Sequence, residues 1–137
     1  GGYSVDQGMK KPDPEAMVLK IFQEEVERCM LNSLVMCLFA RKVYDRPTIL
    51  SALTALGYTY TDEDLTVIAE KIYVTKLRIK KAMGFEQEKV RFPKRFFETP
   101  SMQGLLNEET AYLAQKKFNE LNDNLLKKYE VKNAENL

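Results

Sequence analysis

The chain has no histidine and no tryptophan, and the missing histidine excludes the most. Without imidazole there is no His general base, no serine or cysteine triad of the usual kind, and no His-containing zinc site. Cysteine is nearly as scarce. Cys29 and Cys37 are the whole supply, too few for a disulfide scaffold and suited to a reducing compartment, so a cytoplasmic location is expected. Net charge is small as well: 21 Lys and Arg against 20 Asp and Glu leave +1, which gives no overall field toward nucleic acid or anionic lipid. Neither nucleic acid nor a membrane is expected as a partner. The longest apolar run, Met30 to Ala40, is broken by Asn32 and Ser33 and falls short of the roughly 20 residues that a bilayer span needs. The N-terminus does not resemble a signal peptide. It opens Gly1-Gly2-Tyr3, a start typical of a cleaved purification tag, so the natural chain is expected to begin further upstream.

Hydrophobic residues at 45% and charged residues at 30% are the balance of a chain that can bury enough apolar surface to offset the entropy of ordering. At 137 residues one packed domain is expected over 13–129, with a flexible tail at 1–12 and a frayed one at 130–137. Asp13 serves as N-cap for a first helix, with Pro14 at its first position, and Val18, Ile21, Phe22 and Val26 follow at helical spacing. That helix either runs on through Cys29 toward Leu38 or Tyr44, or breaks at Asn32-Ser33. Asp45-Arg46-Pro47 starts a short second helix carrying Ile49, Leu50, Leu53 and Leu56, and Gly57 supplies a left-handed stop. Thr61 with Asp64 has the spacing of a capping box. Leu65, Ile68, Ile72, Ile79 and Met83 then mark one face of a long helix closed by Gly84.

Between Phe85 and Leu106 the periodicity dissolves. Pro93, Pro100 and Gly104 interrupt any helix, while Phe92, Phe96 and Phe97 offer large apolar anchors, so an ordered irregular segment pinned to the core is expected. Asn107 caps a last helix with the stripe Ala111, Ala114, Phe118, Leu121 and Leu125. The expected fold is therefore all-α: an irregular orthogonal bundle of about four to six helices with a Pro/Phe-rich connecting segment.

Chemistry-bearing groups are few. On one continuous helix Cys29 and Cys37 would stand roughly 12 Å apart, too far to share a metal ion, and a four-thiolate site would need cysteines that this chain lacks. Taken by themselves, both read as small buried hydrophobes. Asp62, Glu63 and Asp64 crowd where a helix N-terminus favours negative charge, which accounts for them without catalysis. The basic stretches at Lys76, Arg78, Lys80 and Lys81, and at Lys89, Arg91, Lys94 and Arg95, have acidic neighbours and no Gly-rich phosphate loop. They read as solvated faces.

Four stretches in order nevertheless resemble the C-terminal helical region of the aldehyde ferredoxin oxidoreductase family, the tungsten or molybdenum pterin enzymes. Asn32-Ser33-Leu34-Val35-Met36-Cys37-Leu38-Phe39 is similar to that family's Asp-x-x-Gly-Leu-Cys motif with its trailing aromatic. Leu77-Arg78-Ile79-Lys80-Lys81-Ala82-Met83-Gly84-Phe85 resembles its Arg-rich, Gly-terminated helix. Phe92-Pro93-Lys94-Arg95-Phe96-Phe97-Glu98-Thr99-Pro100 resembles its Leu-Pro-x-Arg segment, and Gly104 precedes an acidic final helix. The likeness runs from about residue 18 to about residue 122.

The resemblance implies that Cys37 is the fourth thiolate ligand of a four-iron four-sulfur cluster, the other three coming from an upstream domain, with the cluster adjoining the metallopterin. It places Asn32 at the pterin-facing position. It implies a parent enzyme that oxidises an aldehyde, or performs a related low-potential conversion, and passes electrons to ferredoxin. In this chain alone no catalytic residue, no bound cofactor and no activity are expected, and Cys29 keeps its core role. The chain departs from the pattern at Asn32, where the family has Asp, at Val35, where it has Gly, and at Met36, where it has Leu. The family's closing Tyr-Tyr and Arg-Gly-Trp-Asp signature is also missing, with Phe118-Asn119-Glu120-Leu121 near its place. Because a β-branched residue adopts positive φ only at a cost, the backbone at Val35 is expected to differ from the family's. A cofactor-free helical interaction or scaffold domain is the alternative, with Cys37 sealed in the core, and a nucleic-acid-associated domain using the basic stretches is a third reading.

Overall fold

The computed structural model describes residues 13–40, 43–101 and 104–134; the expected tail at 1–12 and residues 135–137 lie outside the described residues. Five α-helices follow in order: α1 Pro14–Ser33, α2 Arg46–Ala55, α3 Asp62–Ala82, the single turn α4 Arg95–Glu98, and α5 Glu108–Ala134, with 3-10 turns at Leu38–Ala40 and Gln87–Lys89. Among the described residues there is no strand, only one isolated bridge between Ser101 and Gly104. The architecture is the all-α bundle expected.

Each main helix starts where local chemistry supplies its missing acceptors. The Asp13 carboxylate accepts from the Glu15 N–H at 3.3 Å and Asp45 from the Thr48 N–H at 3.0 Å. Thr61 and Asp64 form a reciprocal capping box, with the Asp64 N–H donating to Thr61 Oγ1 at 3.1 Å and the Thr61 N–H to Asp64 Oδ2 at 2.8 Å. Asn107 accepts from the Thr110 N–H at 2.8 Å. These bonds hold Asp45 and Asp64 below the usual carboxylate range. Each bond satisfies one backbone donor that the helix itself leaves without an acceptor.

The first helix stops at Ser33 and does not continue toward Leu38 or Tyr44. Ser33 Oγ donates to the Cys29 carbonyl at 2.9 Å, the back-bonding by which a serine competes with the helix ladder. At the other end of the chain α5 stays helical to Ala134.

Helices α1, α3 and α5 pack against one another around Val26, Met30, Leu31, Leu65, Ala69, Tyr73, Val74, Leu125 and Tyr129, and Ile49 joins α2 to that core. Burying one such aliphatic side chain stabilises the fold by about 1.5–3 kcal/mol. Phe22 of α1 stands edge-on to Tyr73 of α3 and to Phe118 of α5, at 5.8 and 6.0 Å, so one aromatic ring joins all three helices. The Tyr73 hydroxyl donates to the buried Asn122 Oδ1 at 3.0 Å, and Asn122 Nδ2 reaches Gln87 at 3.4 Å.

Two expectations about burial need correction. On α3 the buried arc is Leu65, Ala69, Tyr73 and Val74, whereas Ile68 and Ile72 are half-buried and Ile79 and Met83 are exposed. The helix packs on α1 and α5 at once, so the side turned to both is centred near Ala69 and Tyr73, and the isoleucine stripe falls along its edge. In the connecting segment Phe92 and Phe97 anchor to Tyr112 of α5, at 5.3 and 6.3 Å between ring centroids. Phe96 does not; it is exposed beneath the Arg95 guanidinium.

Candidate functional site: the exposed cysteine loop after α1

Three helices of this chain end in the same backbone motif. After α2, the Gly57 N–H bonds the Thr54 carbonyl at 2.9 Å and the Tyr58 N–H bonds Leu53 at 2.9 Å; after α3, Gly84 bonds Lys81 and Phe85 bonds Lys80, both at 3.0 Å. After α1, Val35 bonds Asn32 and Met36 bonds Leu31, again both at 3.0 Å. Each pair is a Schellman cap, which needs a left-handed residue at the position after the C-cap. Glycine supplies it twice, with φ of 88° at Gly57 and 82° at Gly84. At the end of α1 the residue is Val35, with φ of 57°. Although positive φ is costly for a β-branched residue, the cap geometry is kept here with valine in it. What holds it there is visible in the core, where Leu31 is buried and Met36 packs against the same cluster, the apolar contact that accompanies this cap.

The cap turns the chain outward and delivers Cys37 to the surface. Cys37 is a free, exposed cysteine, and its carbonyl accepts from the Ala40 N–H at 3.0 Å to open the 3-10 turn. Several apolar side chains of the loop are exposed. Val35 is 90% exposed and Phe39 93%, and Leu34, Val43 and Tyr44 are also exposed. Asn32 is exposed at the last turn of α1, its carbonyl holding the cap.

Cys29 has a different environment. It is half-buried against the core with Lys76 Nζ at 3.9 Å from its sulfur, while that ammonium also pairs with Glu25 at 3.5 Å. Burial raises the thiol above its ordinary value, opposed by the lysine. It is a protonated packing residue, as expected. The two cysteines therefore sit in separate surroundings and do not converge. Among the described residues no three His, Cys, Asp or Glu side chains gather as a metal-binding group, so any metal centre at Cys37 requires ligands from outside the described residues.

Beside the loop, Arg46 ties three helices together. Its Nε and Nη2 donate to the two carboxylate oxygens of Glu27 at 3.0 and 2.9 Å, and its Nη1 donates to Thr66 at 2.9 Å and pairs with Asp62 at 3.1 Å. The guanidinium is held firmly charged by these partners. Arg46, Glu27, Leu31 and Tyr44 line an open cavity of about 220 Å³. Neither Arg46 nor Glu27 stands out in the sequence as a site residue; the only signal is Arg46 between Asp45 and Pro47 at a helix start.

A family model described as aldehyde ferredoxin oxidoreductase, domains 2 and 3, matches residues 3–131. The chain belongs to the aldehyde ferredoxin oxidoreductase family. Comparison with curated proteins and with solved structures finds no match. In this aldehyde ferredoxin oxidoreductase family chain, Val35, Cys37 and Phe39 all lie in one exposed loop that a Schellman cap aims away from the core. No helix among the described residues is long and apolar enough to cross a membrane.

Proposed function

We propose that this chain is the C-terminal helical domain of an aldehyde ferredoxin oxidoreductase-type enzyme, in which Cys37 supplies one thiolate to a four-iron four-sulfur cluster. The observation that supports this reading best is the free, exposed Cys37 sulfur, which belongs to no metal-binding group of three or more side chains among the described residues. A tetrahedral iron site with cysteine ligation suits a lone thiolate whose companions come from another domain. When bound, the cluster would carry single electrons between a tungsten or molybdenum pterin and ferredoxin as an aldehyde, or a related low-potential substrate, is oxidised.

The chain's own contribution is positional. The cap fixes the direction of the loop, Met36 anchors it in the core, and Arg46 clamps α2 against α1 and α3 behind it. Asn32 stands five residues before Cys37 and would face the pterin as a neutral amide, able both to accept and to donate a hydrogen bond. The cysteine loop of this domain would close the cofactor site against upstream domains of the same chain, and the domain alone would be inactive.

The test is aldehyde-dependent reduction of a viologen dye by the full-length protein, read together with the coding sequence upstream. Aldehyde-driven dye reduction, with a Cys-x-x-Cys-x-x-x-Cys motif upstream, supports the reading. A natural chain that starts near Tyr3 defeats it.

A further inference from the structure

We draw no further inference here: the strongest candidate, the surface patch at the C-terminal end of α3 where Ile79, Met83 and Phe85 stand exposed beside Arg78, Lys80 and Lys81, carries nothing because nothing in the structure shows what covers it.

Discussion

Arg46 and Glu27, nineteen residues apart in sequence, meet in a two-pronged ion pair with both N–O distances at or below 3.0 Å. Flat fork-to-carboxylate geometry is the form of ion pair that retains value at a partly exposed site. Because Arg46 also reaches Asp62 and Thr66 on α3, it substitutes for the apolar packing that short α2 supplies only through Ile49, Leu50 and Leu53. Arg46→Ala should lower the unfolding free energy by about 1–2 kcal/mol. Arg46→Lys should recover less than half of that, since an ammonium cannot address two carboxylate oxygens and a hydroxyl together. Urea unfolding of the three proteins checks both values.

Val35 is the position at which the fold should be easiest to improve. A non-glycine residue in the left-handed region costs about 1–2 kcal/mol, and its exposed side chain returns nothing to the core. Val35→Gly should therefore stabilise the chain by about 1 kcal/mol, after allowance for the greater freedom of glycine in the unfolded state. Thermal unfolding read by circular dichroism measures it. An unchanged or lowered melting temperature contradicts the account of the cap.

Much of the fold can be read from caps and stops. Asp13, Asp45, Thr61-Asp64 and Asn107 begin the helices, and Gly57 and Gly84 end two of them, because each acts through its own nearest backbone. Burial was less legible. Which arc of α3 faces inward depends on where α1 and α5 lie, so the isoleucine stripe ending at Ile79 and Met83 misled, as did Phe96 beside the true anchors Phe92 and Phe97. The end of α1 shows the same limit. Val35 argues against a left-handed cap by local preference, and the core contacts of Leu31 and Met36 override it. At the candidate site the exposure of Cys37 was carried only by family resemblance, since a cysteine in an apolar run reads by itself as core.

Tyr73 makes the fold sensitive to alkali. Burial pushes its hydroxyl well above the ordinary tyrosine value of 10.0, and Tyr129, bonded to Glu70 at 2.6 Å, is pushed the same way by burial and then by that carboxylate. The folded protein keeps protons that the unfolded chain releases above 10.0, so this stabilisation is complete below that pH and is lost as pH rises toward the folded-state values. Denaturant midpoints should hold steady below about pH 10 and fall as pH rises above it. Tyr73→Phe should reduce that fall, while costing about 1–3 kcal/mol at neutral pH because Asn122 loses its buried partner.

The two cysteines should respond unequally to serine. Cys29→Ser places a hydroxyl at a half-buried site packed on the core and should cost about 1 kcal/mol in unfolding free energy. Cys37→Ser, at an exposed loop position, should change stability within about 0.5 kcal/mol. Equal losses would mean that the loop is packed more tightly than its exposure indicates.

The most direct measurement is the iron and acid-labile sulfide content of the full-length protein purified without oxygen, compared with its Cys37→Ser and Cys29→Ser variants. The account predicts that Cys37→Ser loses most of the cluster iron while Cys29→Ser keeps it. Full iron retention in Cys37→Ser would contradict the ligand role on which the functional reading stands.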